Sequence, residues 1–230
     1  LSSTGIDLLK DSTFTEDLIL EKCVNSLKTA SPRIQLGLLE VIAFRKMKSA
    51  VSQVLEVVEK SEGEVKTSAI QCLGQMGDDK AIEPLINIVL NGSREIRETA
   101  KDALIKLDSK DANKYLMEKV QGGNPEIKKL AVELITERRA IEAKEVMKEA
   151  IAKDDKDVID GALNYFAVLG NEEDLPFLFD KLMSNAENGS IYLPAISLII
   201  DRTGDEGRKV MLITEQWKKC KNQSGWYWCL

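Results

Sequence analysis

The sequence predicts an all-α fold of about six stacked helix pairs that repeat every 31 residues. The chain of 230 residues is 43% hydrophobic but only 5% aromatic, and its main residues are good helix formers such as Leu, Ala, Lys and Glu. Similar residues return at a fixed offset of 31, which indicates a repeat architecture. Within each repeat the apolar residues have the spacing of two helices.

The first helix of each repeat, helix A, begins near a β-branched residue. This residue recurs four times at an interval of 31 and once more after 33 residues: Ile34, Val65, Ile96, Ile127, Val158 and Ile191. Four positions later stand Leu38, Ala69, Ala100, Ala131, Ala162 and Ala195. Apolar pairs follow at offsets seven and eight, such as Val41-Ile42 and Leu134-Ile135. Offsets 0, 4, 7 and 8 share one face of a helix.

The second helix, helix B, has apolar residues at offsets 0, 4 and 8. Its first copies are Ala50, Val54, Val58 and Ala81, Leu85, Val89, and then Ala112, Leu116, Val120 and Ala143, Met147, Ile151; Leu178 and Leu182 continue them. This spacing also describes one helical face.

These columns divide one continuous solenoid into segments. We expect an N-terminal cap or partial repeat at 1–30, repeats at 31–61, 62–92, 93–123, 124–154, 155–187 and 188–216, and a C-terminal cap at 217–230. Gly77 and Gly170 are expected to end helix A in the left-handed conformation. Glu64, Glu95, Glu126 and Asp157 are expected in its first turn, where the helix dipole favours acids.

Composition excludes several functions. The chain has no His, so mechanisms that need an imidazole are excluded, and we expect no catalytic residue, metal or cofactor. A net charge of -6 disfavours nucleic acid as a partner. No apolar run has the roughly 18–20 residues that span a bilayer. Localisation stays open between the cytoplasm and export, and the oligomeric state is not predicted.

A row of polar residues on helix B is the first candidate binding site. The column two positions after Val54 reads Glu56, Asn87, Glu118, Glu149 and Asp180. Side-by-side stacking would place these groups about 8–10 Å apart. Solvent can screen such a row over about 8 Å, so it is either a solvated face or a site for a basic partner.

A neighbouring column contains Tyr115 and Phe177 and becomes more apolar toward the C-terminus. If the two rings are partly exposed, they form an apolar strip beside the acids, which suits a peptide. The alternative is that they pack against the neighbouring repeat. On helix A, the column Lys66, Arg97 and Lys128 either faces solvent or pairs with nearby carboxylates.

The four cysteines give little functional information. Cys23 and Cys72 occupy apolar columns and are expected in the core. Cys220 and Cys229 would form a disulfide if the protein is exported, and two unrelated thiols are the equal alternative.

The second repeat resembles the HEAT-like repeats of the phycobilisome-lyase type. The resemblance rests on Glu64-Val65-Lys66, Ala69, Leu73-Gly74, Gly77-Asp78, Ala81, Pro84-Leu85 and Val89. It extends over about residues 16 to 204, although repeats 1 and 4 have Arg45-Lys46 and Arg138-Arg139 where repeat 2 has Met76-Gly77. The resemblance implies a right-handed α-α superhelix, with helix A outside and helix B on the concave inside.

The leading functional prediction is a non-enzymatic scaffold that binds a protein or peptide of basic and apolar character on the concave helix-B face. Two alternatives stay open. The resemblance alone suggests a bilin lyase or chaperone-like subunit, and the atypical ends of the chain suggest a spacer module of a larger protein.

Overall fold

The computed structural model describes residues 16–109, 111–185 and 189–221. Over these residues the chain forms thirteen α-helices and no β-strand. Their bounds are α1 Glu16–Leu27, α2 Pro32–Phe44, α3 Val51–Lys60, α4 Gly63–Met76, α5 Ile82–Asn91, α6 Arg94–Lys106, α7 Ala112–Gly122, α8 Pro125–Glu137, α9 Lys144–Ala152, α10 Ile159–Leu169, α11 Leu175–Ser184, α12 Leu193–Asp201 and α13 Glu206–Lys221. The predicted all-α class is confirmed.

The helices follow the predicted period closely in the first four repeats. Helix A begins at Pro32, Gly63, Arg94 and Pro125, which are 31 residues apart. The two prolines occupy the first turn of their helices, where a missing N–H costs nothing. The predicted copies of helix B are α3, α5, α7, α9 and α11, so the expected alternation of helices A and B is present.

The chain divides into two compact units, Leu1–Lys114 and Tyr115–Leu230. In the first unit, α4 packs between α2 and α6, and α3 and α5 each pack against the following helix A. In the second unit, α10 packs between α8 and α12, α9 packs on α10, and α13 contacts α11 and α12. Helix pairs thus contact their neighbours within each unit. The single continuous superhelix, its handedness and the repeat boundaries stay predictions.

The Ala column of helix A lies in the core of both units. Ala69, Ala100, Ala131, Ala162 and Ala195 are all buried. A small side chain at this position lets neighbouring helices approach closely. In the first unit, a Cβ placed on Gly74 would lie only 2.7 Å from the Cα atom of Ala103. Small residues therefore set the spacing of the helix-A layer.

In repeats 1, 2 and 4, the turn between helices A and B has a left-handed residue, even where glycine is absent. Gly77 has φ +67°, and the residues at the same position in repeats 1 and 4, Lys46 and Arg139, have φ 49° and 54°. A Cβ on Gly77 would lie 2.6 Å from the Asp108 carbonyl oxygen. The substitutions in repeats 1 and 4 thus preserve the turn, at a conformational cost.

Two expectations about helix ends are wrong. Gly170 is extended, with φ -64° and ψ 157°, and glycine is needed there because a Cβ would lie 2.5 Å from the Phe166 carbonyl oxygen. The Arg202 guanidinium donates to the carbonyl oxygens of Gly170, at 2.7 Å, and of Ala167, so it caps the end of α10. Asp157 does not lie in a first helical turn, because α10 begins only at Ile159.

Other sequence predictions have mixed outcomes. Cys72 is buried, as expected, and burial raises the pKa of its thiol to about 12. Lys128 pairs with a carboxylate, since its Nζ atom lies 2.6 Å from Asp155 Oδ2. The side chains of Cys23 and Cys220, all of Cys229 and most of the two predicted caps lie outside the described residues.

We predict that Arg139→Gly stabilises the protein. Glycine removes the steric cost of φ 54°, which is about 1–2 kcal/mol. It also makes the unfolded chain more flexible, which offsets part of this gain. The expected net increase in the free energy of unfolding is about 0.5–1 kcal/mol. Denaturant unfolding measures it. Arg138→Gly is the matched control: Arg138 has φ -73°, so glycine there should destabilise. Equal effects of the two substitutions would contradict the prediction.

We also predict an acid-sensitive contribution from Asp155. The hydrogen bond from Lys128 is the main cause that lowers the pKa of Asp155. The stability from this pair is therefore present above about pH 3.9, the unfolded value, and is lost as pH falls through the lowered folded pKa. NMR titration of the carboxyl in Lys128→Met should give a higher pKa for Asp155, whereas Lys129→Met should leave it unchanged.

Candidate binding surface

The predicted polar row is partly neutralised in the first unit. Glu56 lies on α3, and its carboxylate accepts hydrogen bonds from Lys28 Nζ at 2.9 Å and Lys60 Nζ at 3.5 Å. The bond from Lys28 is the main cause that lowers the pKa of Glu56. Asn87, at the next position of the row, is exposed on α5. This part of the row therefore carries little net negative charge.

The second unit repeats the same network at one position only. Glu149 on α9 accepts hydrogen bonds from Lys153 Nζ at 2.6 Å and from Gln121 Nε2 at 3.0 Å. The bond from Lys153 is the main cause that lowers the pKa of Glu149. Glu149 follows Glu56 by 93 residues, and its two donors follow the donors of Glu56 by the same number. Glu149 therefore repeats, three 31-residue periods later, the carboxylate of Glu56 together with the positions of its two donors.

Glu118 and Asp180 differ from these two paired carboxylates. Both are exposed, Glu118 on α7 and Asp180 on α11. Among the residues that the structure describes, neither has an ion-pair partner. The predicted row of four like charges is therefore reduced to two unpaired carboxylates, and both belong to the second unit.

Tyr115 and Phe177, the two rings of the predicted apolar column, are half-buried. The Lys119 Nζ atom lies 4.8 Å from the centroid of the Tyr115 ring, and the Lys148 Nζ atom lies 6.0 Å from that of Phe177. Phe177 also packs on Phe166, with ring centroids 6.3 Å apart. Each ring is thus partly covered by its own unit and keeps part of its surface in solvent.

Aromatic and acidic residues share one side of the same helices. Tyr115 precedes Glu118 by three residues on α7, and Phe177 precedes Asp180 by three residues on α11. Residues at this spacing are neighbours on a helix surface. Each of the two helices therefore presents a half-buried ring beside an unpaired carboxylate, and we call these four residues the ring-acid pairs.

A shallow groove lies between α3 and α5 in the first unit. Its volume is about 510 Å³, and Leu55, Pro84, Ile88 and the amides of Asn87 and Asn91 line it. The Asn91 Nδ2 atom donates to the Asn87 carbonyl oxygen at 3.0 Å. The groove places Asn87, a predicted site residue, beside apolar side chains.

Sequence reasoning missed a buried ionic cluster in the second unit. Asp174 is 1% exposed, with its Oδ2 atom 3.0 Å from Lys144 Nζ and its Oδ1 atom 3.6 Å from Lys148 Nζ. Its Oδ2 atom also accepts from the Asn171 N–H at 3.0 Å. Burial is the main cause that raises the pKa of the nearby Tyr165 hydroxyl to about 12, and the negative charge of Asp174 adds to it.

The signal for this cluster was present in the columns. Asp174 follows Ala143 by 31 residues and so replaces an alanine in the first column of helix B. Lys144 and Lys148 in turn occupy the columns of Ile82 and Ile86, two buried residues of repeat 2. Three charged residues thus replace apolar residues together, at facing positions of two consecutive helices B.

No helix in the described ranges is both long enough and apolar enough to cross a membrane. Over the same ranges, no group of three or more Cys, Asp or Glu residues is arranged to hold a metal ion. The absence of nucleic-acid binding and of a cofactor stays a prediction.

The paired helices and their period define the chain as an all-α repeat protein. A family model of HEAT repeats matches residues 20–105, and this part of the chain consists of HEAT-like repeats. Comparison with curated proteins finds no match. Among solved structures, the chain is similar to the complex of CpcE and CpcF of phycocyanin lyase from Nostoc sp. PCC7120, with a TM-score of 0.41 and 16% sequence identity, over 89% of this chain and 94% of that chain. A bilin lyase or chaperone-like role stays a prediction.

We predict that the stabilising effects of Asp174 and Lys144 depend strongly on each other. Asp174→Ala should destabilise by about 1–3 kcal/mol, because two cations lose their partner, and Lys144→Met should leave a poorly compensated buried carboxylate. The double variant should be more stable than the sum of the two effects predicts, by about 1–3 kcal/mol. The free energies of unfolding of the four proteins in this cycle are measured by denaturant unfolding.

The control combines Asp174→Ala with Lys129→Met, at an exposed residue, and its two effects on the free energy of unfolding should be additive. Additive effects of Asp174→Ala and Lys144→Met would contradict the coupling.

Proposed function

We propose that the protein is a non-enzymatic scaffold whose helix-B face binds a protein or peptide of basic and apolar character. The observation that carries this proposal is the presence of the ring-acid pairs on α7 and α11. An unpaired carboxylate attracts a cation from the partner, and the half-buried ring offers it an apolar contact. The predicted concave shape of this face is part of the proposal.

In this proposal the two paired carboxylates contribute less to binding than the two unpaired ones. Glu56 and Glu149 already accept hydrogen bonds from lysines of their own unit, so a cationic partner would have to displace these donors. Glu118 and Asp180 need no such exchange. The attraction to a basic partner is therefore assigned mainly to these two, and it should weaken with salt because the groups are exposed.

The test compares two double charge reversals. Glu118→Lys with Asp180→Lys alters the proposed face, and Glu126→Lys with Asp160→Lys makes the same change of net charge on exposed residues of helix A. The probe is a short fluorescent peptide of Lys and Leu, and binding is measured by anisotropy at several salt concentrations. We expect about tenfold weaker binding at low salt for the first variant only, with the difference shrinking as salt increases.

Two results would overturn the proposal. An equal loss in both variants would show that net charge alone governs binding. Equal binding of a counterpart peptide with Glu in place of each Lys would show that the face does not select basic partners. Circular dichroism and thermal unfolding of each variant verify that the helices are intact.

A further inference from the structure

The helices α7 and α11 carry the same five-residue pattern, two periods apart. It consists of an aromatic ring, a leucine, a second apolar residue, a carboxylate and a lysine. The two copies are Tyr115-Leu116-Met117-Glu118-Lys119 and Phe177-Leu178-Phe179-Asp180-Lys181, and they are 62 residues apart. At the position of the ring, the helices α3, α5 and α9 have Gln53, Pro84 and Val146. The pattern therefore belongs to two helices B with one other helix B between them.

The two copies also have the same orientation toward the core. Leu116 and Leu178 are buried, at 2% and 0% exposure, so each helix turns the same side inward. In both copies the first, third and fifth residues are half-buried and the carboxylate is exposed. Because burial is the same at all five positions, the two ring-acid pairs reach solvent from equivalent sides of their helices.

The helix between them, α9, contacts both copies but offers no equivalent pair. Gln121 of α7 donates to Glu149 of α9 at 3.0 Å. Lys144 of α9 lies 3.0 Å from the carboxylate of Asp174, the residue directly before α11. The helices α7, α9 and α11 are therefore consecutive neighbours. In α9 the ring is replaced by Val146, and the carboxylate of Glu149 is already hydrogen-bonded within the unit.

We propose, on the basis of the function proposed above, that the two ring-acid pairs form one bipartite site for a single protein segment with two basic and apolar clusters. Neighbouring helices lie about 8–10 Å apart, so the two pairs are separated by about 16–20 Å. Each carboxylate attracts one cation of the segment, and each ring contacts one of its apolar side chains. Val146, which is half-buried between them, faces the stretch that joins the two clusters.

A bipartite site selects its partner by length as well as by charge. Once the first cluster is bound, the second binds intramolecularly, at an effective concentration that the joining stretch determines. A stretch too short to span the two pairs gives no gain in affinity. Neither ring-acid pair alone can make this distinction. The spacing of the two clusters is therefore the property of the partner that the second unit reads.

The experiment compares two fluorescent peptides of equal composition, each with two Lys-Leu-Lys clusters. In the long peptide the two leucines are eleven residues apart, joined through Gly and Ser, and their separation averages about 18 Å. In the short peptide the leucines are three residues apart and at most about 11 Å from each other, and the same Gly and Ser residues stand at its ends. Anisotropy at low salt should show at least about tenfold tighter binding of the long peptide.

Reversing one carboxylate at a time tests whether both pairs are engaged. Glu118→Lys alone and Asp180→Lys alone each leave one intact pair, so each variant should bind the two peptides with affinities within about threefold of each other. Glu126→Lys, at an exposed residue of helix A, makes the same change of charge and should keep the full advantage of the long peptide. Circular dichroism verifies that the helices are intact.

Two results would overturn the bipartite site and leave the proposed function intact. In the first, the long peptide binds no better than the short one, while the double reversal of Glu118 and Asp180 still weakens the binding of both. In the second, the advantage of the long peptide persists in either single variant. If the double reversal weakens neither peptide, the proposed function fails, and the bipartite site fails with it.

Discussion

The close packing of helix A against its neighbours is the constraint on which the rest of each unit depends. From repeat 2 onward small residues fill the Ala column, and Ala69, Ala100 and Ala162 are fully buried there, whereas repeat 1 buries Leu38 at this position. In the first unit the tightest approach is at Gly74, where an added Cβ would lie 2.7 Å from the Cα atom of Ala103, so a larger side chain there would have to push a helix outward.

Two polar side chains in the second unit are compensated by groups of an adjacent repeat. Asp174 replaces an alanine, and its charge is balanced because Lys144 and Lys148 replace apolar residues on the preceding helix B. Arg202 similarly donates to carbonyl groups at the end of α10, where the last carbonyls of a helix have no partner within the helix. Each set therefore joins two consecutive repeats.

The repeat columns predicted the helices well because burial repeats with the same period as the sequence. Their predictions become less accurate after Leu182, where extra residues before Ile191 shift the register. Leu178 and Leu182 of α11 lie 34 residues before the buried Leu212 and Gln216 of α13, whereas the columns of helix A shift by 33. Gly170 shows a second limit, since the sequence reveals a glycine but not whether a left-handed φ or a close contact requires it.

The polar row shows why candidate sites are harder to predict than the fold. A column specifies the position of a carboxylate residue on the helix, but long flexible lysines from other positions decide whether that carboxylate is paired. Lys28, in the turn after α1, and Lys60, at the end of α3, both neutralise Glu56, and neither belongs to the row. At Glu118 the corresponding positions hold Leu90 and Gly122, which cannot donate a charge-assisted bond. The number of unpaired carboxylates on this face is therefore set by what the neighbouring columns lack, and it differs between repeats that share the same backbone.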